Sequence, residues 1–207
     1  MSVFRLILVL SLLSGGAHAQ DVFDHCGMTG TAKAPEAKVL NPEKDRYDLP
    51  TQSDFDPSVT LDAMLKPGHD SGRFTVGRAA EITGYVYDVK QGGKETCNCG
   101  SNDLAHTDTH IELTLDGSRQ NSVKSKRVIV EVTPRLRRAM MAKGVDWSTT
   151  ALQKMLLHHS VKVQGWMFYD AEHEMNSENM NPNGMSNWRA TVWEIHPITS
   201  IQIVGSP

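Results

Sequence analysis

Two stretches concentrate side chains able to do chemistry. In TVWEIHPIT (Thr191 to Thr199), strand alternation puts Glu194 and His196 on one face with Val192, and Trp193 and Ile195 on the other. In HTDTHIELTL (His106 to Leu115), His106, Asp108, His110 and Glu112 share one face, while Thr109, Ile111, Leu113 and Leu115 take the opposite one. Same-face neighbours on a strand lie about 6.5 Å apart, close enough for their side chains to converge on one ion. Asp170 and His173 follow in YDAEHE, where the chain leaves a further strand. The chemistry this spacing suggests is a divalent metal such as zinc held by Asp108, His110, His173 and His196, with Glu194 as general base to a bound water. That is the constellation of a metal-dependent hydrolase. The sequence has no H-E-x-x-H and no pair of C-x-x-C motifs, so no standard zinc spacing backs it. The plainer alternative is that these faces meet water, as one side of an antiparallel sheet commonly does, and that Glu194 orients His196 without any metal.

Other chemistries have less support. No serine sits in a G-x-S-x-G turn and no cysteine in a reactive signature, which sets nucleophilic catalysis aside. Thiolates at Cys97 and Cys99 in CNC could bind a soft metal, but the two are too close for an easy mutual bridge and an oxidising compartment favours a disulfide from Cys26 to Cys97 or to Cys99. Basic runs occur in KSKR (Lys124 to Arg127) and RLRR (Arg135 to Arg138), and Trp188, Trp166 and Tyr85 could serve as stacking platforms for single-stranded nucleic acid. The basic runs read first as solvated surface, and Trp166, Phe168 and Trp193 as core aromatics rather than platforms from their strand positions.

The elements that must position these groups are legible in outline. Arg5, the apolar run Leu6 to Leu13 and Ala17-His18-Ala19 form a signal peptide over residues 1–19, with the mature chain starting at Gln20 in the periplasm or outside the cell. No later apolar run approaches the length of a membrane-spanning helix. Arg5 is the leader's one charged residue, so the 21 basic side chains become 20 against 24 acidic ones, a net charge of about −4. That balance argues against a non-specific nucleic-acid binder.

Residues 20–72 carry five prolines among charged and small residues and read as an extended arm or wrap, relieved by a short helix in SVTLDAMLKPG. From 73 to 207 the pattern is three strands (Ala80 to Val89, His106 to Leu115, Arg127 to Pro134), a helical stretch starting at Pro134 with a second helix capped by Asp146 or Ser148, and two more strands (Ser160 to Asp170, Arg189 to Val204). Three strands, helix, two strands is the order of an OB-fold, a small antiparallel β-barrel.

GRFTVGRAAEITGYVYDVKQGGKETCNC, DTHIEL, VIVEVTPR, DAEHE and NWRATVWEIHPIT together resemble a group of uncharacterised bacterial exported proteins that end in a W-E-I-H-P motif. The likeness runs from about Leu40 to the end. It implies one compact exported domain and brings no catalytic residue with it. Sequence therefore leads to an envelope binding or interaction module for a small ligand or an envelope protein, with metal-dependent hydrolysis and single-strand binding as alternatives.

Overall fold

The computed structural model describes residues 26–118 and 123–205, so the expected signal peptide and cleavage point lie outside the described residues. Strands β1 (Ala79–Gln91), β2 (Thr109–Thr114), β3 (Val128–Val132), β4 (Ser160–Tyr169) and β5 (Trp193–Gly205) close into a barrel in the order β1-β2-β3-β5-β4. Every pairing is antiparallel except β3 with β5. Helices α3 (Pro134–Met141) and α4 (Thr149–Leu156) fill the connection from β3 to β4. This is the OB-fold.

Alternation along each strand decides what fills the barrel and what lines its outside. Ile111 and Leu113 of β2, Val128, Val130 and Val132 of β3, Val161, Val163 and Met167 of β4, and Trp193 and Ile195 of β5 join one buried apolar cluster. Both helices begin on side-chain caps, Thr133 accepting from the Leu136 amide just ahead of the expected Pro134, and Ser148 accepting from that of Ala151. Of the two caps expected for α4, Ser148 is the one used.

The segment expected to be an extended arm or wrap folds onto the barrel, with the expected short helix and with a second, longer and unexpected one. Helix α1 (Pro35–Lys44) starts on Pro35, whose missing N–H costs nothing in a first turn, and α2 (Leu61–Leu65) sends Leu61 and Met64 into the barrel's apolar cluster. The residues α1 buries are polar, Asn41 and Lys44, so no apolar period announces it. Arg46 stacks on the Trp166 ring at 3.4 Å, and the Trp166 indole donates to the Asp48 carbonyl at 2.9 Å. Arg135 donates to the Cys26 carbonyl at 2.9 Å and pairs with Asp45 at 3.1 Å. Residues 26–48 thus form a strap across the outer wall of the barrel. A disulfide from Cys26 to Cys99 ties the strap to the β1–β2 loop, which settles the expected pairing between its two options and leaves Cys97 as a buried free thiol. The strap passes the loop so closely at Gly30, where φ is +53°, that a Cβ there would sit 1.9 Å from the Thr96 carbonyl oxygen.

Candidate metal centre

Register brings the polar residues together. His110 on β2 lies opposite Glu131 on β3, Val130 pairs with Ile195 on β5, and Phe168 on β4 lies opposite Glu194. With Val130 and Ile195 pointing inward, Glu131, Glu194 and His196 must point outward on adjacent strands. Asp108 enters from the end of the β1–β2 loop, and Asp170, His173 and Arg189 from the β4–β5 connection. Two of the expectations are confined to the neighbourhood of this face. His106 sits in a one-turn 3-10 helix, Leu104–His106, ahead of β2. Glu112 faces outward but turns to Lys90 and Arg127, both of which it pairs with.

The expectation that this polar face meets water fails. Asp108, Glu131, Glu194 and His196 are each 3 % exposed or less. The cover is the strap and the loop: Lys44, itself buried, reaches Glu95 at 2.7 Å and lies 5.6 Å from the centre of the Phe168 ring. What looks like a solvated strand face is a polar layer sandwiched between barrel and strap.

Within that layer, three residues share one design. Asp108 has Oδ1 held by the Asn98 side-chain amide at 3.1 Å, and its Oδ2 has no hydrogen-bond partner. Glu131 has Oε1 held 2.9 Å from His110 Nε2, and its Oε2 has none. His196 has Nδ1 3.2 Å from Glu194 Oε2, and its Nε2 has none. His196 Nε2 lies 3.7 Å from Asp108 Oδ2, and His196 Nδ1 lies 3.5 Å from Glu131 Oε2. Each of the three residues offers a ligand atom within 4.8 Å of the others. Unpartnered buried polar atoms are costly, and three residues that each carry one and each offer a ligand atom within 4.8 Å of the others describe the donor side of a cation site.

Behind these lies a second layer. Arg189, fully buried, pairs with Glu194 and donates to Asp170 Oδ2 at 2.7 Å, and Asp170 Oδ2 also lies 2.6 Å from His173 Nδ1. Glu194, expected as a general base, therefore has one oxygen on Arg189 and the other on His196. In that position it sets the imidazole's orientation, the task a carboxylate performs behind a metal-binding histidine. His173, expected as a ligand, pairs with Asp170, packs edge-on to Trp188 at 5.3 Å, and belongs to no triad of converging donors among the described residues. Asp108 and His196 belong to the first triad, and His110 to a second with Glu95 and Glu131. An open recess of about 200 Å³, lined by Lys90, Gln91, Gly92, Gly93, His110 and Trp188, reaches the layer at His110.

The charges are mutually dependent. Burial, with the charge of Glu95, pushes Asp108 up to about 7. Burial works against the His196 imidazolium, but Glu131, Glu194 and Asp108 outweigh it and raise the ring to about 10. His110 rises to about 9 in the same way, against burial and on the strength of Glu131. Glu131, against burial, is held down to about 2 by His110 and His196. Burial, Asp108 and Glu95 hold the Cys97 thiol far above its ordinary value. Protons and the Lys44 ammonium thus neutralise an excess of carboxylate that a divalent ion would neutralise directly.

Sequence reasoning missed Glu131, Glu95, Lys44 and Arg189. Glu131 had a visible signal, a lone acid at an outward position in the otherwise apolar VIVEV. The other three lie on a loop, a helix end and a strand approach whose contacts no period predicts.

Three of the six basic residues in the two runs are committed to internal contacts, while Lys124, Lys126 and Arg138 are exposed. Arg127 pairs with Glu112 and stacks over Tyr87 at 4.1 Å, Arg135 is fully buried on Asp45, and Arg137 donates to the carbonyls of Ala105, Thr107 and Trp147.

Fold and site together define an OB barrel carrying a buried histidine–carboxylate centre on its outer wall, under the β1–β2 and β4–β5 connections. No protein-family model matches the chain, and none of the curated proteins does. Among solved structures it is similar to asparaginyl-tRNA synthetase from Entamoeba histolytica, at 14% identity over 66% of this chain and 23% of that one, with a TM-score of 0.32. Among the described residues no helix is long and apolar enough to cross a membrane.

Proposed function

We propose that this protein is an exported binding module that holds one divalent transition-metal ion between Asp108, Glu131 and His196. The observation that carries this reading is the pattern of open atoms: Asp108 Oδ2, Glu131 Oε2 and His196 Nε2 lack partners, while the other polar atom of each side chain is held by Asn98, His110 or Glu194. Two carboxylates and one imidazole suit a first-row divalent ion, and carboxylate-backed histidine is the usual outer shell of such a site. Export is supported by the leader-like start of the sequence and by the Cys26–Cys99 disulfide, a bond that persists in oxidising compartments.

Binding is favoured over hydrolysis because the carboxylate expected to activate water is committed to Arg189 and His196. It is favoured over single-strand binding because Arg127, Arg135 and Arg137 of the basic runs are committed to internal contacts and Trp166, one of the candidate platforms, is covered by Arg46. The test is calorimetric titration of chelator-treated mature protein with Zn²⁺ and Mn²⁺. One equivalent is expected to bind wild type, and neither Asp108→Asn nor His196→Ala should retain it. Absence of binding by wild type, or undiminished binding by both variants, overturns the reading.

A further inference from the structure

The β1–β2 loop carries donors that the three-residue site does not use. Cys97, 2 % exposed, is the one cysteine of three outside the disulfide, and it offers Sγ within 4.8 Å of ligand atoms of Glu95 and of Asp108. Asp108 belongs both to this triad and to the one with Glu131 and His196, so the thiol adjoins the proposed site through a shared carboxylate. That carboxylate's Oδ2 is the unpartnered buried atom of the set.

The loop is built to hold the thiol there. Cys99 N donates to the Thr96 carbonyl at 3.0 Å and Gly100 N to that of Glu95 at 2.7 Å, closing a tight turn around Cys97. Thr31 N donates to the Thr96 carbonyl from the strap at 2.9 Å, and Asn41 reaches the Thr96 hydroxyl at 3.1 Å. Cys99, two residues on, faces the strap and bonds to Cys26, while Cys97 turns inward, its Sγ 3.3 Å from Glu95 Oε2. A buried thiol among carboxylates has little use as a nucleophile, since anionic neighbours oppose the thiolate. Beside a cation the same surroundings are productive, because thiolate, imidazole and carboxylate are the ligands that borderline and soft ions prefer.

We infer that Cys97 is a ligand of the bound ion, and that the site therefore takes a thiophilic divalent ion of the zinc and cobalt class in preference to oxygen-seeking Mg²⁺ or Ca²⁺. The inference rests on the reading of this recess as a metal site. On binding, the Sγ–H bond breaks, an Sγ–metal bond forms, and the proton leaves to solvent, with no change in oxidation state.

Cobalt titration of the disulfide-intact mature protein separates the two claims. Thiolate ligation gives a sulfur-to-cobalt charge-transfer band in the near ultraviolet at one equivalent, and Zn²⁺ should bleach it while a large excess of Mg²⁺ should not. Cys97→Ser should lose the band, bind Zn²⁺ about tenfold or more weakly, and keep its circular dichroism. Stoichiometric cobalt binding without the band would overturn Cys97 as ligand and leave the three-residue site standing, and the wild-type spectrum gives that answer even if the variant misfolds. No cobalt or zinc binding at all would overturn both.

Discussion

Replacing Arg189 with methionine probes the polar layer most severely. The guanidinium is completely buried and holds two carboxylates, Asp170 at 2.7 Å and Glu194 at hydrogen-bonding distance, each 3 % exposed or less. Each contact is worth about 4 kcal/mol gross in a medium of effective dielectric near 20, and much of that offsets the cost of taking the charges out of water. Removing one partner leaves the opposing carboxylates buried and uncompensated, for which about 3–5 kcal/mol is the usual loss. Asp170 keeps His173, and Glu194 keeps His196, so the lower end, about 3 kcal/mol, is expected here. At about 2–4 °C per kcal/mol for a chain of this size, Arg189→Met should melt roughly 6–12 °C below wild type. The assay is urea or thermal unfolding followed by tryptophan fluorescence and circular dichroism. A triple variant with Asp170→Asn and Glu194→Gln as well should recover at least half the loss, because the stranded charges are gone. A loss under about 1 kcal/mol for the single variant, the range of an exposed pair, would refute the claim that this layer is dry and that Arg189 holds it together.

Two further perturbations follow from the same structure. Glu112 accepts from Lys90 and Arg127, which outweigh its burial and hold its carboxyl below 4.5, so its contribution is present above pH 4.5 and fades as pH falls through the lowered value. Unfolding free energies of wild type and Glu112→Gln should accordingly differ at pH 7 and converge in acid, and a gap that widens below pH 4 would contradict the pairing. Cys26→Ser opens a loop spanning 73 residues, for which loop-closure entropy gives about 4 kcal/mol, and it should also loosen the strap over Trp166. The expected readouts are a lower urea midpoint and a red-shifted tryptophan emission; an unmoved midpoint would show that the strap is held by its other contacts.

How much of this was legible beforehand follows from what each contact is made of. The barrel strands were readable because Ile111, Leu113, Val128, Val130, Trp193 and Ile195 point inward at period two, and because Pro134 and Ser148 punctuate the helices between them. Strand alternation also grouped Asp108 with His110 and Glu194 with His196. It could not tell a wet face from a covered one, since the cover comes from α1 and the 92–108 loop, which are tied to each other by Lys44 and Glu95 and to α3 by Asp45 and Arg135, polar contacts with no periodic trace. For the same reason Glu194 looked available as a base: its partner Arg189 precedes it by five residues, across a turn that places their side chains together only in three dimensions.

The most direct test of the central claim is anomalous diffraction at the zinc edge from crystals of the mature protein grown with Zn²⁺. One strong peak is expected, bonded to Asp108, Glu131 and His196 Nε2, with the Glu194 carboxylate behind the ring on its Nδ1 side. A peak elsewhere on the surface, with His196 Nε2 and Asp108 Oδ2 unligated beneath the strap, would contradict the claim.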